Sequence, residues 1–208
     1  MTVSRNSPLP PLRPDPEYRK AFAQIMVRIE RALGPRRPPK PVVVCVAGGA
    51  AMHFYTGSRF TNDIDAKILA RVMLDPNELK VAYRGEDGHA RLLYFDMQYN
   101  DSFALMHHSA YDDARPIEVD GVDARRLEVR LLTPLDLAVS KLARFGDQDR
   151  DDIRVLAAAG LIDAAALRKR AEAALPDYVG NLERIRNSIV LASRLATSTV
   201  AKKSAKGG

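Results

Sequence analysis

VVVCVAGGAAMHFYTGSRFTNDIDA, residues 42–66, runs from a β-branched block through two adjacent glycines to two aspartates one residue apart. The valine block reads as a buried strand, because a short apolar run ending in turn residues fits a strand covered on both faces. Gly48-Gly49 marks the turn, and AAMHFYTG has room for about two helical turns. NDIDAKILA reads as the next strand. Residues i and i+2 of a strand share a face, so Asp63 and Asp65 project together and Ile64 points the other way, toward a core. Two neighbouring carboxylates repel. Either the stretch is a plain polar strand end, or something relieves the repulsion. A divalent cation such as magnesium shared by Asp63 and Asp65 would do so, and metal ions held there could activate an attacking hydroxyl and stabilise a leaving pyrophosphate. A glycine pair at a helix N-terminus leaves backbone N–H groups open to a phosphate.

Working outward, SPLPPLRPDP is proline-rich and reads as extended and mobile. In EYRKAFAQIMVRIERALG, Phe22, Ile25, Met26, Ile29 and Leu33 recur at helical spacing, and Gly34 stops the pattern. Residues 79–100 read as two strands around the turn GEDG, and IEVDGVD and RLEVRLL as two more short strands. Thr133-Pro134 opens a helix, with Thr as N-cap and Pro at the first position. That helix is expected to end near Gly146. A further helix should begin near Asp149, one should cover DAAALRKRAEAAL, and a last one should run from about Tyr178 to Leu195 with Leu182, Ile185, Ile189 and Ala192 buried. The fold class is therefore α/β, a mixed-sheet core followed by an α-helical C-terminal part. The expected division is a flexible proline-rich segment 1–16, an α/β core 17–132, a helical part 133–197 and a flexible basic tail 198–208.

Hydrophobic residues make up 46% of the 208, enough for a sizeable core. No apolar run approaches the length of a membrane span, and the N-terminus has no apolar signal-peptide core. The single cysteine, Cys45, cannot form an internal disulfide, which suits a reducing cytoplasm. Net charge is +6, but unevenly spread. Residues 1–40 and 166–208 each carry nine Lys/Arg against three Asp/Glu, while 41–165 carry fourteen against twenty. An acidic centre suits metal ions, and basic flanks suit a polyanion. Several chemistries lack their motifs. There is no H-E-x-x-H or Cys/His cluster for zinc, no G-x-S-x-G and no P-loop. The Rossmann fingerprint G-x-G-x-x-G is also missing, since AGGAAMH has adjacent glycines and no third. A parallel doubly wound sheet would revive that reading.

AGGAAMHFYTGSRFTNDIDA, residues 47–66, resembles the signature of the DNA polymerase β-like nucleotidyltransferase superfamily: a Gly-Gly turn, a short helix, then Asp-hydrophobic-Asp. The form from Arg59 through Thr61 to Asp65 looks more specifically like the AbiEii-type branch, which includes toxins of type IV toxin–antitoxin systems and the MenT toxins. TPLDLAVSKLARFGDQDRDDIRVL resembles that branch's lysine-bearing helix followed by a helix opening with Asp-x-x-Asp. The likeness spans about residues 41–160. It implies a nucleotidyltransferase core that moves an NMP from an NTP to an acceptor hydroxyl with Mg²⁺, and an RNA acceptor such as tRNA. A protein or small-molecule acceptor stays open. It also implies a cognate antitoxin protein as partner. On this match Asp63 and Asp65 hold the metal, Gly48, Gly49, Arg59 and Thr61 bind nucleotide, and Lys141 contacts its phosphates. Asp149 takes the acidic position of the last motif, with Asp152 as its companion. A third carboxylate is expected on a later strand. Asp96, in the strand-like RLLYFDMQYN, is favoured over Asp101, Asp112 and Asp113, which sit in loop-like sequence. Tyr55, Tyr94 and Tyr99 could stack a base. The alternative is a catalytically silent module of this fold that binds nucleotide or a partner protein.

Overall fold

Helix α1 spans Pro16–Ala32 and begins where the sequence supplies both an acceptor and a stop. The Asp15 carboxylate takes the backbone N–H groups of Glu17 and Tyr18 at 2.9 Å each, and Pro16 fills the first position, where no amide is needed. Its apolar stripe, Phe22, Ile25, Met26 and Ile29, is buried, and the chain turns at Gly34 with φ of 78°. The molecule is a computed structural model that describes residues 10–57 and 60–206, with side chains through residue 200. Within the segment expected to be mobile, residues 10–15 are held down. The Arg13 N–H donates to the Phe54 carbonyl at 2.8 Å, the Arg115 guanidinium donates to the Pro10 carbonyl, and Leu12 packs against the core.

Strand β1 (Val42–Val46) is the buried strand that its valines foretell. It lies between β3 (Ala66–Ile68), antiparallel, and β7 (Leu127–Leu131), parallel. With β6 (Arg115–Ile117) antiparallel to β7, the order is β3-β1-β7-β6. A second sheet, β2-β5-β4, joins β2 (Asp63–Ile64) parallel to β5 (Ala90–Phe95), and β5 antiparallel to β4 (Lys80–Arg84). Both sheets mix directions, so the doubly wound parallel alternative falls away. The expected single strand NDIDAKILA is in fact two, because the chain leaves one sheet for the other at Asp65. The expected strand over IEVDGVD lies earlier, at Arg115–Ile117, since the turn through Gly121 (φ 80°) cannot join a ladder.

The C-terminal part is helical, as expected. Its helices are α3 (Pro134–Ser140), α4 (Asp147–Ala158), α5 (Ala164–Ala174) and α6 (Leu182–Lys206), with a 3₁₀ turn at Leu175–Asp177. Thr133 caps α3 by accepting the Asp136 N–H at 3.0 Å. This helix stops at Lys141 rather than near Gly146, because the following turn relaxes into tighter bonds and Phe145 adopts φ of 49°. Helix α4 starts at Asp147, so Asp149 sits inside the first turn and is not the residue that precedes the helix. Helix α6 runs on to Lys206, past Leu195, and Leu182 is exposed although its spacing predicts burial. Ile185, Ile189, Ala192 and Ala196 do form its inner face. Among the described residues, no helix is long and apolar enough to cross a membrane.

Arg170 of α5 ties the helices to the core. Its guanidinium donates to both Asp136 oxygens at 2.7 and 3.0 Å and to Asp113 at 2.8 Å. Asp136 is almost wholly buried. Breaking a buried pair from one side leaves an uncompensated charge. Arg170→Ala is therefore expected to cost about 3 kcal/mol, read as a lower urea midpoint with an unchanged m-value.

Candidate active site

Asp65 stands at the break between the two sheets. On one side its carbonyl accepts the Ala47 N–H at 2.8 Å, which extends the β1–β3 ladder. On the other, the Asp96 N–H donates to the Ile64 carbonyl at 3.1 Å, which extends the parallel β2–β5 ladder by one step. Since Ile64 pairs with Phe95, Asp96 is level with Asp65, and level residues of parallel strands share a face. Asp63, Asp65 and Asp96 thus lie on one face of the β2–β5 pair. Ile64, between them, is fully buried.

The electrostatics record this crowding. Burial first, then the negative charges of Asp63 and Asp96, push the Asp65 carboxyl above the ordinary range. The Gly49 backbone N–H and the Lys141 ammonium pull the other way without cancelling the rise. Asp63 is positioned by the Thr61 hydroxyl, which donates to it. Asp96 takes the Gln98 N–H at 2.8 Å. Among the described residues, no Lys or Arg forms an ion pair with any of the three.

The glycine pair is adjacent, and its closeness is severe. A Cβ built on Gly48 would lie 1.7 Å from an Asp65 carboxylate oxygen, and Gly48 has φ of 53°. A Cβ on Gly49 would lie 2.8 Å from the Thr61 hydroxyl. Both glycines are therefore needed to let the aspartate strand pass the start of α2 (Gly48–Thr56).

A cavity of about 320 Å³ opens beside Gly48 and Asp65. Lys141, Arg144, Asp149, Ser140, Tyr99 and Phe103 line it too. Lys141 is buried and paired with Asp152 at 2.6 Å, so the companion aspartate holds the lysine. Asp149 accepts two hydrogen bonds from Arg144, at 2.7 and 2.8 Å, and the Gly146 N–H at 3.0 Å. Burial opposes ionisation of Asp149, but these donors outweigh it and hold its carboxyl below the usual range.

Of the sequence-expected site residues, the structure thus gathers Gly48, Asp65, Lys141 and Asp149 around one cavity. Asp63 and Asp96 flank Asp65 without lining that cavity, and Gly49 and Thr61 support the carboxylates from behind. Arg59 lies outside the described residues. Asp101, one of the less favoured carboxylates, is bonded to Lys67 and Tyr111, and Asp113 is held by Arg170 and Ser109. Tyr55 is buried, with its hydroxyl donating to the Leu132 carbonyl at 3.0 Å. Tyr94 stays partly exposed on the face of β5 that carries the carboxylates. Arg144 also lines the cavity, and sequence reasoning misses it. Its only sequence signal is a cation five residues before Asp149, at the end of an apolar helix. Cys45 is no nucleophile, since burial pushes its thiol up to about 12.

The donor set fits magnesium. Asp63, Asp65 and Asp96 offer hard oxygens, and Mg²⁺ is characteristically held by one or two carboxylates together with substrate phosphates. Among the described residues, no three His, Cys, Asp or Glu side chains gather into a ready-made metal cage.

Residues 20–194 match a family model described as nucleotidyltransferase of unknown function, DUF6036. A search of curated proteins finds no match.

Proposed function

We propose, since the chain belongs to the nucleotidyltransferase family DUF6036, that it transfers an NMP from an NTP to an acceptor hydroxyl and releases pyrophosphate. The observation that carries this is the crowding of Asp63 and Asp96 onto a half-buried Asp65, beside a cavity furnished with lysine and arginine. Carboxylates set against one another gain from a divalent cation. In this reading Asp63, Asp65 and Asp96 would hold Mg²⁺, which when bound supplies charge neutralisation at the phosphates. Lys141 and Arg144 line the cavity and would hold the triphosphate. Gly48, in the cavity wall, would present its backbone to it, while Gly49 makes room for Thr61. Asp149 fixes Arg144, and Asp152 fixes Lys141. The acceptor oxygen bonds to the α-phosphorus, the α–β bridging bond breaks, and the hydroxyl proton leaves to a carboxylate of the trio. Positioning and charge stabilisation do most of the work in such reactions.

The resemblance of residues 47–66 to AbiEii-type toxins makes an RNA end, such as that of a tRNA, the proposed acceptor. A cognate antitoxin partner and a cytoplasmic setting follow from the same likeness. The test is incubation with each α-labelled NTP, Mg²⁺ and total tRNA, beside Asp63→Ala and Asp65→Ala proteins. Label on RNA with the unaltered protein alone is the expected result. Label on protein instead would change the acceptor. NTP binding with no transfer to anything would leave a nucleotide-binding module.

A further inference from the structure

A second cleft, of about 390 Å³, lies between α4 and α6 and shares Arg144 with the candidate active site. Arg150 and Arg184 line it as well, with Glu183 as its one acidic residue. Asn181 and Asn187 add neutral polar groups. The arginines are placed for outward contact. Asp149 uses Nε and Nη2 of Arg144. A guanidinium has five N–H donors, so donors remain, and the Arg144 side chain is 75% exposed. Arg150 lies over the Phe145 ring, 5.0 Å from its centre, and uses one of its donors on the exposed Asp147 at 3.2 Å, an i,i+3 surface pair of little strength. Arg184 donates to the Arg144 carbonyl at 3.4 Å, which joins the two clefts. Phe145 holds a left-handed backbone that is costly for a bulky residue. That turn sets Arg144 toward Asp149 and places the Phe145 ring beneath Arg150. Arg144 also feels the Asp65 charge, so the arginine row begins at the carboxylates and leads away from them.

We propose that the α4–α6 cleft holds the phosphodiester backbone of the acceptor RNA while its end reaches Asp65. This rests on the nucleotidyl-transfer reading above. Planar guanidinium forks suit phosphate oxygens better than ammonium groups do. A row of them leading from the reacting centre follows a strand, whereas an NTP needs only the cavity beside Asp65. The cleft reads backbone charge and no base sequence.

The test is fluorescence anisotropy of a labelled single-stranded RNA of about 12 nucleotides over a salt series, in parallel with binding of a fluorescent NTP analogue. The Arg150→Gln, Arg184→Gln protein is expected to bind RNA about tenfold more weakly, with a salt slope shallower by about 1.4, from about 0.7 per lost phosphate contact. NTP affinity should not change. Glu183→Gln, which removes the cleft's acidic group, should tighten RNA binding, and it serves if the double variant fails to fold. RNA affinity and slope indifferent to these changes would overturn the proposal. So would lost NTP affinity with RNA binding intact, which would assign the cleft to the nucleotide. RNA binding that depends on the arginines, in a protein that transfers no label, would keep the cleft and end the transferase reading.

Discussion

Gly48→Ala is expected to be among the most damaging single methyl additions this chain can receive, at about 4 kcal/mol of stability and with nucleotide transfer lost. Two costs combine. The backbone at Gly48 has φ of 53°, a region that costs an L-residue about 1–2 kcal/mol. The new Cβ would also meet the Asp65 carboxylate oxygen at 1.7 Å and the Asp65 Cβ at 2.8 Å. A carboxylate can rotate away, but a Cβ moves only with its backbone, and that backbone bonds to Ala47 on one side and, through Ile64, to Asp96 on the other. Gly88→Ala separates the two costs, since Gly88 has φ of 78° and a Cβ added there would meet nothing within 4 Å. It should lose only the backbone part. Gly49→Ala should fall between, because its backbone carries no positive φ while a Cβ there would meet the Thr61 Cβ at 2.9 Å as well as the hydroxyl at 2.8 Å. Urea unfolding of the three variants checks the order. In an Asp65→Gly background the Gly48→Ala penalty should shrink, because contacting sites are not additive. Equal penalties at Gly48 and Gly88 would mean that Asp65 yields freely.

The motif that betrays the site is local, and what escapes the sequence is mostly non-local. Gly48-Gly49, Asp63 and Asp65 lie within eighteen residues of chain, so one strand–turn–helix reading places them. The buried β1 and the face of α1 follow from periodicity. Asp96 stands out for lying in a strand-like run, but its level with Asp65 depends on parallel pairing of β2 with β5, which no local pattern encodes. The splitting of NDIDAKILA has the same origin: two residues bond to one sheet and three to another, and the composition of the stretch is silent on that. The early stop of α3 is hidden because KLAR continues a good helical pattern past Lys141, and tertiary packing overrides propensity there. Lys141 consequently sits at the helix end, where Asp152 of α4 can reach it. Arg144 is hidden for the same reason. Had α3 run on, its guanidinium would not have met Asp149 across the turn.

Asp65→Asn should make the metal-free protein more stable while lowering the proposed transfer on the order of 10³-fold. The two effects share one cause. The Asp65 carboxyl is held above its ordinary range by burial and by Asp63 and Asp96, so its charge is a cost to the folded state at neutral pH. An amide removes the charge and retains an oxygen for the Gly49 N–H, with nearly unchanged shape. Relief of a destabilising buried charge commonly contributes about 0.5–2 kcal/mol, or a rise of about 2–4 °C per kcal/mol in melting temperature for a domain of this size. A structural carboxylate would behave oppositely, since losing its bonds would lower the melting temperature. Magnesium supplies a second reading. Anything that binds only the folded state raises its stability by mass action, so added Mg²⁺ should raise the melting temperature of the unaltered protein. Asp65→Asn should blunt that rise, because one hard anionic oxygen donor is gone. Thermal unfolding of both proteins with and without Mg²⁺, beside the labelled transfer assay, measures all of this. A variant that is less stable, responds normally to Mg²⁺ and still transfers nucleotide would remove Asp65 from the chemistry. A variant that is more stable and inactive would show that the chain keeps a destabilising charge because the reaction needs it.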